Sequence, residues 1–343
     1  MEVNIDAALD AISRSENLEI ILVGREHKIN EILEKKRFSP PEISIHHAEN
    51  VVCMDENPLH AARDKKNSIV KSIELLRSGE VDAFMSVGNT GAVAASAMLR
   101  LKMLPGINRT PILAVFPTMG GHPIVMLDVG ANVDCKPRHL LQFAILGSTF
   151  AELIMERNNP RVALISVGEE SSKGNTNVKT AHSLLADSSS KLGLNFVGNI
   201  EGNDILRGTA DVVVCDGFIG NIMLKFTESI YSLVKKIFFK DRRVSILSLI
   251  GGLLLYPSLK RTIKDFNYAE YGGAPLLGVN GNIVIGHGSS SSKAIMNALL
   301  LAQHMAVANL PVALRKAAKQ IEELNHENSN FGDRVVRTTA GAH

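Results

Sequence analysis

The chain has 343 residues, 45% of them apolar and 21% charged, with a formal net charge of +2. That balance suits a folded α/β protein with a large buried core and gives no basic excess to argue for a nucleic-acid partner. Cys53, Cys135 and Cys215 are odd in number and far apart, so neither a disulfide framework nor a zinc site is expected, and a reduced cytoplasm suits them.

No basic-then-apolar leader opens the sequence. Ile5, Ala8, Leu9 and Ile12 carry helical spacing, and the first strand is expected over Leu18 to Val23, where an α/β chain would ordinarily begin on a strand. A loop at Phe38–Pro41 precedes a short strand from Ile43 to His46, and Pro58 to Leu76 reads as one helix. Then a pattern repeats: an apolar, β-branched run, a polar loop of Gly, Asn, Asp or Ser, and a helical stretch. Val81–Met85 leads into Ser86–Gly91, Ile124–Leu127 into Asp128–Asn132, and Val162–Ile165 into Ser166–Glu170. Val212–Val214 precedes Cys215-Asp216-Gly217, and Ile283–Ile285 precedes Gly286-His287-Gly288-Ser289. Strands apolar along their whole length, alternating with helices, indicate a doubly wound, mainly parallel sheet covered on both faces. Ligands of such sheets bind beyond the carboxyl ends of the strands, where these loops fall. Loops of Gly and small hydroxyls opening onto helix N-termini offer free N–H groups to an anion.

The segment between Asn221 and Tyr256 departs from this pattern. Ile222, Phe226, Ile230, Leu233 and Ile237 recur at helical spacing, and the apolar run 244–256 contains Ile246, Leu247, Leu249, Ile250, Leu253 and Leu254. Basic residues flank the run on both sides, from Lys235 to Arg243 and from Lys260 to Lys264. It is shorter than the roughly 20 residues of a spanning helix. Two readings stand: packing in a dimer interface or over the core, and a monotopic patch whose flanking bases meet anionic lipid. The organisation expected is an α/β core over 1–221, a helical excursion over 222–270 facing a dimer partner and a membrane, a return to the core over 271–324, and a disordered tail over 325–343.

No Gly-x-Ser-x-Gly elbow, Walker loop or dinucleotide fingerprint is present, and neither cofactor nor metal is expected. Asp128, Asp134 and Asp216 serve equally well as helix caps or turn residues. Asn89-Thr90-Gly91 precedes a small-residue helix from Ala92 to Leu101, which permits close backbone approach to a ligand. Lys173-Gly174-Asn175 sets a cation beside a flexible turn. His287-Gly288 followed by Ser289, Ser290, Ser291 and Ser292 has more hydroxyls than one N-cap requires, which points to an oxyanion or phosphate cradle.

Ser86–Ala92, Leu127–Pro137, Asp211–Asn221, Tyr271–Ala274 and His287–Ser290, in that order, resemble the signature segments of the bacterial phosphate acyltransferase (PlsX) family. Arg63–Ser68 and Val167–Asn175 add to the resemblance, which runs from near Met1 to about Leu310. It implies transfer of a long-chain acyl group from acyl carrier protein to inorganic phosphate, giving acyl phosphate for phospholipid synthesis. It also implies a homodimer, a fold like those of phosphotransacetylases and isocitrate-type dehydrogenases, and peripheral attachment of the base-flanked apolar segment to the inner face of the cell membrane. The family's usual opening strand and Gly-Gly-Asp loop would lie upstream of the helix in which Met1 falls.

Phosphate is already an anionic nucleophile and a thiolate leaves readily, so positioning and oxyanion stabilisation matter more than a covalent intermediate. On loop chemistry, Asn89, Thr90 and Ser289 are expected to hold phosphate, with Gly91, Gly174, Asn175 and Ser290 beside it. His287 or Lys173 would balance charge on the tetrahedral intermediate. Asp128, Asn132, Asp216 and Asn221 would orient these loops or the thioester arm, with Asp216 the next choice for acid/base work. Arg63, Lys65 and Lys66 are either a solvated basic face or a site for docking the acidic carrier protein or contacting substrate phosphate. The alternatives are a coenzyme A-dependent phosphotransacetylase, a metal- and nicotinamide-dependent dehydrogenase of the isocitrate type, and a nonenzymatic membrane scaffold.

Overall fold

A computed structural model describes residues 1–36, 40–239 and 272–323. The apolar run 244–256, with the six membrane candidates from Ile246 to Leu254, and the tail 325–343 lie outside the described residues.

In chain order the elements are α1 (Glu2–Arg14), β1 (Ile20–Gly24), α2 (Glu26–Lys36), β2 (Ile43–His47), α3 (Pro58–Arg63), α4 (Ser68–Ser78), β3 (Ala83–Ser86) and α5 (Thr90–Arg100). There follow β4 (Leu113–Phe116), β5 (Ile124–Leu127), α6 (Pro137–Ile154), β6 (Arg161–Ile165), α7 (Thr176–Leu192), β7 (Asn195–Ile200), α8 (Gly202–Arg207), β8 (Val212–Val214) and α9 (Gly217–Phe239). The chain then returns through β9 (Ala274–Pro275), β10 (Asn282–Ile285) and α10 (Ser292–Val307), and a last helix spans Leu310–Glu323. No single described helix is long and apolar enough to cross a membrane.

The α/β expectation holds, with a division the repeats do not reveal. A five-stranded sheet runs β4-β5-β8-β6-β7, a three-stranded sheet β3-β10-β9, and β1 pairs with β2. The pairings β1–β2, β3–β10, β5–β8, β8–β6 and β6–β7 are parallel, whereas β4 and β9 run antiparallel to their neighbours. Strand side chains alternate between faces. In the large sheet Leu113, Val125, Leu127, Val162, Leu164, Val212 and Val214 join one core with α6 and α7. Ala114, Phe116, Ile124, Met126, Ala163, Ile165 and Val213 join the other, with α5. The second core also takes in Phe84, Ile283 and Ile285 of the smaller sheet, and an isolated bridge between Ile112 and Leu276 connects the two sheets.

The single helix expected over Pro58–Leu76 is broken. Asn67, 1% exposed, donates its amide to the Ala61 carbonyl and caps α4 by accepting from Val70 N. This ends α3 at Arg63 and restarts the helix at Ser68.

Candidate active site

Two sets of loops gather the residues singled out in the sequence. The first forms because β3 and β10 are adjacent and parallel, with Ser86 opposite Ile285, so their following loops emerge from one edge. Gly286 N donates to Ser86 O at 2.8 Å, and a Cβ on Gly288 would lie 3.7 Å from the Val87 carbonyl and 3.6 Å from Met54 Cε. Asn89, Thr90 and Gly91 thus share an edge with His287, Ser289 and Ser290.

Within this set His287, Gly288, Ser289 and Thr90 are exposed. Ser289 N donates to His287 Nδ1 at 3.2 Å, and Ser289 Oγ lies 2.7 Å from the same nitrogen. Nδ1 of His287 thus sits on the serine turn, and Nε2 lies outside these contacts. His287 therefore orders the serine turn through its inner nitrogen. Ser291 caps α10 through Ala294 N, which releases Ser289 and Ser290 from that duty.

Asn89 differs from the expectation of direct phosphate contact. Its Nδ2 donates to the carbonyls of Cys53, Met54 and Glu56 at 3.2, 3.0 and 3.0 Å, and its Oδ1 accepts from Ala92 N. The buried amide is committed to backbone: it caps α5 and pins the 53–56 loop beside the anion loops. That loop had no signal in the sequence, although Pro58, whose Cγ lies 2.7 Å from a Cβ placed on Gly91, marks the close approach.

The second set lies at the ends of β5, β6 and β8. Asp128 is fully buried and accepts five hydrogen bonds: Ile112, Gly130 and Ala131 N at Oδ1, and Asn132 N and Nδ2 at Oδ2. Burial pushes its carboxyl above the ordinary range, against the pull of these donors. Asn132 also donates to Thr110 O at 2.9 Å. The pair shapes a turn and ties it to the segment entering β4. Asp216 accepts from Cys135 N at 2.6 Å and Phe218 N at 2.8 Å, locking the loop after β5 to the start of α9. Gly217 and Gly220 let that helix approach: a Cβ would come within 2.3 Å of Asn132 O at the first and 2.0 Å of Asp128 O at the second. Asn221 packs on Gly130.

Asn175 caps α7 through Val178 N, following Lys173 and Gly174, whose φ of +95° suits glycine. Asn175 and Asp216 face a common cavity, which Cys135, Cys215 and Asn177 also line. Burial first, and then the charge of Asp216, pushes the Cys135 thiol up to about 12. Burial likewise pushes Cys215 well above the ordinary thiol value. Neither thiol can supply a thiolate nucleophile near neutral pH. Arg63, Lys65 and Lys66 are exposed where α3 turns into α4, with Lys66 3.0 Å from Glu49.

These features define an α/β protein with two sets of strand-end loops, one rich in small hydroxyls around His287 and one organised by the carboxylates of Asp128 and Asp216. The fold is that of a phosphotransacetylase from Streptococcus pyogenes, which superposes with a TM-score of 0.63 at 16% identity over 90% of this chain and 91% of that one. The sequence narrows the class: the chain belongs to the fatty acid synthesis protein family, which matches residues 1–313. Curated relatives named phosphate acyltransferase include those of Dictyoglomus turgidum, 43% identical over 94% of this chain and 93% of the relative, and Halothermothrix orenii, 46% identical over 87% and 89%.

Proposed function

We propose that the protein transfers a long-chain acyl group from the thioester of acyl carrier protein to inorganic phosphate. A phosphate oxygen attacks the thioester carbonyl carbon, the carbonyl oxygen takes up negative charge, and the C–S bond breaks. The thiolate accepts the proton carried by hydrogen phosphate, leaving acyl phosphate and free carrier protein. The observation that carries this reading is the shared edge of the parallel strands β3 and β10, whose following loops carry Thr90 on one side and His287, Ser289 and Ser290 on the other, with Ser289 bound to Nδ1 of His287.

In this scheme Thr90, Gly91, Ser289 and Ser290 hold phosphate through hydroxyls and backbone N–H groups. His287 donates to the developing oxyanion, with Lys173 as the balancing cation of the second loop set. Asn89, Asp128, Asn132, Asp216 and Asn221 are positioning residues, and Gly174 and Asn175 shape the loop entering α7. Arg63, Lys65 and Lys66 dock the acidic carrier protein. A homodimer working in the cytoplasm at the inner face of the membrane, held there by the base-flanked run 244–256 on anionic lipid, would release its amphiphilic product where it is used.

The test is incubation with acyl-carrier protein and labelled phosphate. Label should enter an organic-extractable acyl phosphate, and His287→Ala should slow this at least tenfold with the fold intact. A folded wild-type protein that forms no labelled product overturns the reading. Flotation with anionic liposomes tests the membrane role, and recovery wholly in the aqueous fraction refutes it.

A further inference from the structure

The segment that Asn89 clamps touches both loops of the first set. At one point Met54 lies against the β10 loop: its Cε and Sδ fall 3.6 and 3.9 Å from a Cβ placed on Gly288, the residue between His287 and Ser289. At another, Pro58 lies against the β3 loop, its Cγ 2.7 Å from a Cβ placed on Gly91. Between them the carbonyls of Cys53, Met54 and Glu56 accept from Asn89 Nδ2, and Cys53 N donates to Glu56 Oε2 at 3.3 Å. These backbone groups are thus spent inward. The Met54 side chain is left 64% exposed. A single exposed apolar side chain is ordinary on a protein surface, so what singles out Met54 is its place beside the turn that carries His287 and Ser289.

We propose that Met54 is a specificity-determining residue, the apolar contact over which the acyl chain leaves the carbonyl that phosphate attacks. The assignment rests on the acyl-transfer reading above and adds to it the route of the chain past the β10 loop. Proximity and polarity decide the occupant. Two chains leave the thioester carbonyl carbon: the fatty chain on one side and, through sulfur, the amide-bearing arm of the carrier protein on the other. Amides in the arm call for hydrogen-bonding partners, and the carbonyls of Cys53, Met54 and Glu56 are already held by Asn89. A methylene chain calls only for apolar surface. The unbranched, adaptable thioether of an exposed methionine supplies it without imposing one chain conformation. Asn89 sets the height of this surface, because the same amide that caps α5 fixes the Met54 carbonyl at 3.0 Å.

The experiment measures kcat/KM for palmitoyl- and acetyl-carrier protein, and KM for phosphate, in wild type, Met54→Leu and Met54→Gln, with circular dichroism to check the fold. Glutamine matches methionine in length and removes the apolar surface, whereas leucine keeps that surface. Moving one methylene out of an apolar environment is worth about fourfold. The palmitoyl-to-acetyl ratio should therefore fall about fourfold or more in Met54→Gln and stay at the wild-type value in Met54→Leu, with KM for phosphate unchanged in both. An unchanged ratio in Met54→Gln, an equal loss with both thioesters, or an equal fall in Met54→Leu overturns the assignment, and so does a loss that follows a raised KM for phosphate. Val307→Gln alters a side chain that is 79% exposed at the far end of α10 from Ser292. It should leave the ratio alone, and a fall as large as that in Met54→Gln also overturns the assignment. If wild type forms acyl phosphate from neither thioester, the acyl-transfer reading itself fails, an outcome distinct from an active wild type whose preference Met54→Gln retains.

Discussion

Asp128 holds the backbone N–H of Ile112 at 3.0 Å, and Ile112 in turn bridges to Leu276 beside the smaller sheet. One buried carboxylate thereby fixes the turn after β5 and the junction between the two sheets. Asp128→Asn keeps the size but turns an NH₂ group toward donors that Asp128 now satisfies. Leaving such donors unpaired costs about 3 kcal/mol. Urea unfolding should show a loss of that order, with inactivation well before unfolding as the turn loosens.

Asn89 separates capping from clamping. Aspartate caps helices as well as asparagine does. In Asn89→Asp, however, the carboxylate faces the carbonyls of Cys53, Met54 and Glu56 in place of a donor. Asn89→Asp should be at least as destabilised as Asn89→Ala, by about 2 kcal/mol. Glu-specific proteolysis at Glu56 should accelerate in both. An aspartate variant that melts like wild type would show that the clamp contributes nothing.

The three thiols should divide by environment. Cys53 is exposed, whereas Cys135 and Cys215 are buried with raised thiol values, Cys135 at about 12. Maleimide at pH 8 should therefore label Cys53 alone in the native protein, and the other two only after denaturation. Mass spectrometry of the labelled peptides reads this directly.

Asp211 contributes to acid dependence through its pairing with Arg161 at the edge of β6. Burial alone would raise its carboxyl, but hydrogen bonds and charge from Arg161 outweigh burial and hold it below the usual carboxylate range. A lowered folded value gives stability that is present above the unfolded value of about 4 and is lost as pH falls through the folded one. Asp211→Asn should lower stability at neutral pH and flatten its decline in acid, as measured by urea midpoints from pH 7 down to pH 3.

The buried strands were legible because β5 and β8 are apolar from end to end and β10 is so after Asn282, which a doubly covered sheet explains. The extra strand β7 was not, since Asn195 and Asn199 interrupt its apolar pattern and Gly198 adopts a φ of +99°. The break between α3 and α4 was hidden too: Asp64-Lys65-Lys66 suits a solvated helix face, and only the fold reveals that Asn67 reaches back to Ala61. In the site, reading Asp128 as a cap or turn residue described its local bonds, whereas Asn89, expected on phosphate, is the cap of α5. Their long-range partners, the 53–56 loop and the strand entry at Ile112, depend on tertiary placement that periodicity does not encode. The cavity wall went unseen for the same reason, because Leu140, Ile165 and Val178 each look like ordinary core residues.

The two glycines at the root of α9 make a stiff mechanical joint. With no side chain between Gly220 and the Asp128 carbonyl, helix and turn touch backbone to backbone, and neither can slide without displacing the other. The 23-residue helix is a lever about 35 Å long. A displacement of that rod therefore bears directly on the Asp128 turn through backbone contact.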